Sequence, residues 1–76
     1  MKLKNRLAAI QLEKGQVWKL EDSHIEIVAM GKSLTHYRRL AHLKQKGVPV
    51  KLERIQTVEN YLKTHGATLI KNSGAN

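Results

Sequence analysis

Residues 24–40 read His24-Ile25-Glu26-Ile27-Val28-Ala29-Met30-Gly31-Lys32-Ser33-Leu34-Thr35-His36-Tyr37-Arg38-Arg39-Leu40. Ile25 and Ile27 alternate with polar neighbours, and the run then turns apolar on both faces, the pattern of a strand inside a sheet. Gly31-Lys32 supplies a tight turn. In the run that follows, Leu34 and His36 alternate with Thr35 and Tyr37, so a second strand is expected to fold back on the first.

Moving outward toward the N-terminus, Glu21-Asp22-Ser23 is a polar turn, and Gln16-Val17-Trp18-Lys19-Leu20 sets Trp18 and Leu20 on one face of a further strand. Three strands joined by two short turns predict an antiparallel meander with 24–30 in its centre. Before them, Leu3, Leu7 and Ile10 fall at the i, i+4, i+7 spacing of one helical face, and Gly15 follows as a helix stop. An N-terminal helix or arm over 1–14 is the expectation.

Toward the C-terminus, Ala41 to Gly47 is a basic connector, and Pro49 disfavours helix at Val48. Val48, Val50 and Leu52 fit a short edge strand. Ile55, Val58 and Leu62 then recur at helical spacing with Tyr61 beside them, and Gly66 ends the run, which predicts a helix from about Glu53 to His65. Ala67 to Ile70 is β-prone. The fold expected is therefore α+β in one small domain, 1–76: a three-stranded antiparallel meander with an N-terminal helix, a C-terminal helix on one face, and a short final edge strand. Its core would run β-β-β-α-β over 15–70, and 71–76 would be a flexible tail.

Size and composition bound the function. A 76-residue chain can bury only about 60% of its unfolded surface. With no cysteine it must cohere through packed Leu, Ile and Val, with self-association as a further source of cohesion, and a reducing, cytoplasmic setting is expected. No apolar run approaches the ~20 residues of a membrane span, and Met1 to Leu12 lacks the features of a secretory signal. Lys and Arg number 14 against 6 acidic residues, a formal charge of +8, which attracts polyanions such as RNA and DNA without any specific site.

The order helix, three antiparallel strands, helix is similar to that of double-stranded RNA-binding domains. The stretch that would open their second helix reads Val50-Lys51-Leu52-Glu53-Arg54-Ile55 here and lacks their paired lysines. The opening Gly15-Gln16-Val17-Trp18 is similar to the start of some small SH3-like barrels, over four residues only. Neither likeness is carried further, and no family is assigned.

The residues that carry binding chemistry are Tyr37, Arg38 and Arg39, with Lys44, Lys46 and Lys51 in and after the connector. An aromatic ring beside guanidinium groups stacks bases and neutralises phosphates. Trp18 reads as core. His24, His36, His42 and His65 have no metal-ligand spacing, so no metal or cofactor is expected. Catalysis has no cysteine nucleophile, glycine-rich phosphate loop or Gly-x-Ser-x-Gly run behind it. A metal-independent ribonuclease site at His36, Tyr37, Arg38 and Arg39 is the one enzymatic alternative, and nothing supplies the rest of its constellation. The leading expectation is sequence-tolerant nucleic-acid binding, RNA before DNA, by a module that is not an enzyme and has no small-molecule substrate. The competing one is a protein-interaction or structural module, such as a homodimer joined through an edge strand or the N-terminal helix.

Overall fold

The computed structural model describes residues 10–71. Along the chain run β1 (Val17–Lys19), β2 (His24–Met30), β3 (Leu34–Leu40), β4 (Lys51–Arg54), α1 (Ile55–Thr64) and β5 (Thr68–Lys71). The strands form one sheet in the order β4-β3-β2-β1-β5, antiparallel at every pairing.

This corrects the expected fold. The described residues form a five-stranded antiparallel sheet with one short helix, not a three-stranded meander between two terminal helices. Leu3 and Leu7 lie outside the described residues, but Ile10 to Lys14 are within them and are not helical. The side chains decide this: Leu12 is buried in the core with Ile10 packed beside it, a two-residue spacing that no helical face provides. Gly15, expected to stop a helix, instead sits with φ 94° at the third position of a turn closed by the Gln16 N–H donating to the Glu13 carbonyl at 3.2 Å.

Gln16 then anchors this corner. It is buried, and its Oε1 accepts from Trp18 Nε1 at 2.9 Å and from the Glu13 N–H at 3.0 Å, while its Nε2 donates to the Gln11 carbonyl at 3.1 Å. A buried amide is tolerable because its donors and acceptors are answered.

On the C-terminal side, Glu53 and Arg54, expected to open the helix, belong instead to β4, which pairs with β3 with Leu34 opposite Arg54 and Tyr37 opposite Lys51. The helix begins only at Ile55, whose N–H donates to the Ser33 carbonyl at 2.9 Å. It is not terminal, since it carries the chain from one edge of the sheet to the other. Four inter-strand gaps span about 19 Å, and ten residues of helix cover about 15 Å of that. Gly66 makes the exit. With φ 64°, it donates to the Lys63 carbonyl while Ala67 donates to that of Leu62, the Schellman pattern, and the chain turns into β5 beside β1. Of the tail expected over 71–76, Lys71 belongs to β5 and the rest lies outside the described residues.

The helix covers one face of the sheet. Val58 and Leu62 meet Leu12, Trp18, Leu20, Ile25 and Ile27 there in a continuous core. A register shift between Ile27 and Ala29 bulges β2, and the fully buried Thr35 Oγ1 donates to the Ala29 carbonyl at 2.8 Å, satisfying backbone at the irregularity. Among the described residues no helix is long and apolar enough to cross a membrane.

Candidate functional site

The pleat of β3 decides which of its side chains can act together. Tyr37 lies opposite Ile27, and Arg39 opposite Ile25, so both project from the face that the helix covers. Arg38 lies opposite Glu26 and projects from the other face. Its Nε sits 3.0 Å from Glu26 Oε1, an ion pair by proximity whose N–H is not aimed at the carboxylate. With each side chain about one-third exposed, the pair contributes about 0–1 kcal/mol.

On the helix face, Tyr37 and Arg39 line a pit of about 140 Å³ between β3, β4 and the helix. Ile25 and Val58 contribute apolar wall, while Glu53, Thr57 and Tyr61 supply polar groups. Arg39 Nη1 donates to the Tyr61 hydroxyl at 2.9 Å, and its guanidinium carbon is 5.8 Å from the Tyr61 ring centroid, at the outer reach of a cation–π contact. The Tyr61 ring in turn packs on His65 with centroids 4.2 Å apart, tilted by 41°. Arg39 is thus steered by the helix yet stays exposed, and among the described residues four of its five N–H donors are left for an incoming group.

Lys51 is exposed and directly opposite Tyr37 on β4, on the same face. Lys44 and Lys46 are exposed in the segment between β3 and β4. That segment is tied to the end of β3 where Gln45 Oε1 accepts from the Ala41 N–H at 2.6 Å and the Gln45 N–H donates to the His42 carbonyl at 3.0 Å. The two lysines flank this anchor.

The six residues singled out in the sequence therefore do not form one cluster. Tyr37, Arg39 and Lys51 share a face, Lys44 and Lys46 follow on the loop, and Arg38 is turned away. The ribonuclease alternative is divided in the same way, with His36 paired across from Leu52 and Ala29 on the face opposite Tyr37. Among the described residues no three His, Cys, Asp or Glu side chains group to hold a metal ion. Sequence reasoning missed Tyr61, Thr57 and Glu53 as members of the site. Tyr61 flanks the helix stripe Ile55-Val58-Leu62, and that position beside the buried face was the available signal. No family model, curated protein or solved structure matches the chain, so its residues alone carry the functional reading.

Proposed function

We propose that the protein is a non-enzymatic module that binds single-stranded nucleic acid in a sequence-tolerant way, RNA before DNA, on the helix-covered side of β3. The observation that carries this reading is the sharing of one pit by Tyr37, Arg39 and Tyr61 on a chain of net charge +8. Two aromatic rings beside a guanidinium can stack unpaired bases, and Arg39, Lys51, Lys44 and Lys46 would neutralise the phosphates on either side. A cytoplasmic setting goes with it. Arg38 is left out because its charge is engaged by Glu26 on the other face.

Fluorescence polarisation of labelled single-stranded RNA, duplex RNA and duplex DNA, at two salt concentrations, tests the proposal. Micromolar or tighter binding of single strands, weakened by salt and by Arg39→Ala but not by Arg38→Ala, is the expected result. Absence of binding at low salt would overturn it. Equal sensitivity to the two arginine substitutions would remove the helix face from the account.

A further inference from the structure

Beyond any role in binding nucleic acid, β4 has the properties of a self-pairing edge. It pairs with β3 alone among the described residues, so its outer side has no backbone partner. The direction of its amides follows from the helix start. The Ile55 N–H points toward the β3 side, where it donates to Ser33, and alternation along an extended chain then turns the Leu52 and Arg54 amides outward. The Arg54 N–H accordingly donates to its neighbour's carboxylate, Glu53 Oε2, at 3.2 Å rather than to β3. The outward groups of Leu52 are left without a protein partner among the described residues.

The side chains along this edge are self-complementary in one register. Were two copies to pair antiparallel about a two-fold axis at Leu52, the two Leu52 residues would exchange both backbone hydrogen bonds. Lys51 of each copy would then lie opposite Glu53 of the other, two equivalent attractive pairs on the helix side. On the reverse side, Leu52 is 54% exposed and Leu34 on the adjacent strand 42%, so the axis would join two apolar patches into one covered strip. A two-fold contact of this kind closes on itself, whereas pairing β4 with the β5 edge of another copy would propagate.

We propose that the protein forms a reversible homodimer by antiparallel β4–β4 pairing centred on Leu52, with Lys51 and Glu53 setting the register. The backbone pairing does not require that the helix face take nucleic acid, and Lys51 is the one residue the two readings share. A four-residue strand makes a small interface, so the association belongs to the weak class and should depend on concentration.

Sedimentation velocity on the full chain over a concentration series tests it, with circular dichroism verifying that each variant is folded. The wild type should shift from monomer to dimer with concentration. Lys51→Glu alone and Glu53→Lys alone each turn two attractive pairs into repulsive ones and should raise the dissociation constant about tenfold, while Lys51→Glu with Glu53→Lys should restore association. Leu52→Lys, at an exposed position, sets like charges on the axis and should leave a folded monomer. A wild type that stays monomeric up to about 1 mM would overturn the proposal. So would a dimer indifferent to Leu52→Lys, or a folded double-charge variant that fails to regain association.

Discussion

Arg38 and Arg39 are chemically identical and adjacent in the chain, yet they belong to two different surfaces. On the helix face, Arg39 is held by the Tyr61 hydroxyl at the rim of a pit, above a core closed by Val58 and Leu62. On the reverse face, Arg38 leans on Glu26 in a cross-strand pair in the row that also contains Val17. The difference teaches that a run of basic residues in a strand is two half-runs. Arg39 stays exposed while Arg38 is about one-third exposed with its charge beside Glu26, and the pleat, not the local density of charge, decides which face each one serves.

The contrast can be broken most directly at the helix. Leu62 is fully buried where the helix meets the sheet, so Leu62→Ala should cost about 2–5 kcal/mol in a urea titration. A loss under about 1 kcal/mol would mean that the helix is not what closes this face. Next in size, Thr35→Val removes the hydroxyl that serves the Ala29 carbonyl at the β2 bulge, and about 1–3 kcal/mol of stability should go with it in the same titration.

Smaller effects sharpen the comparison of the two arginines themselves. Arg39→Ala should weaken RNA binding about tenfold, or ~1.4 kcal/mol, and flatten its salt dependence, whereas Arg38→Ala should change affinity by less than about twofold. Polarisation titrations at two salt concentrations would separate the pair. Smallest of all, Glu26→Gln should shift stability by about 0–1 kcal/mol, since its ion pair is partly solvated. It also frees Arg38. If RNA affinity then rose in step, the reverse face would be part of the binding surface after all, and the division between the faces would fail.

The amino-acid sequence by itself determined the features that depend on near neighbours. The alternation of Ile25 and Ile27, the Gly31-Lys32 turn and the alternation around Tyr37 mark out β2 and β3. Ile55, Val58 and Leu62 mark the helix, and Gly66 its end, because a left-handed residue is needed there whatever the helix packs on. The split of Tyr37 and Arg39 from Arg38 also follows from strand periodicity alone.

What only the tertiary structure decided are the relations between distant segments. The spacing of Leu3, Leu7 and Ile10 suggested a helix, but Leu12 and Gln16 gain more from the core and from Trp18 than Ile10 to Lys14 would gain from an isolated helical turn, which is marginal at that length. Val48, Val50 and Leu52 suggested a short edge strand, but the strand that forms is Lys51 to Arg54, which takes Glu53 and Arg54 from the expected helix because the edge of β3 offers them backbone partners. Tyr61 reaches Arg39 across 22 positions of sequence. No local pattern encodes that meeting: it exists because the helix must cross the sheet to bring β5 beside β1, and in crossing it lays its flank over the one arginine that the pleat turns toward it.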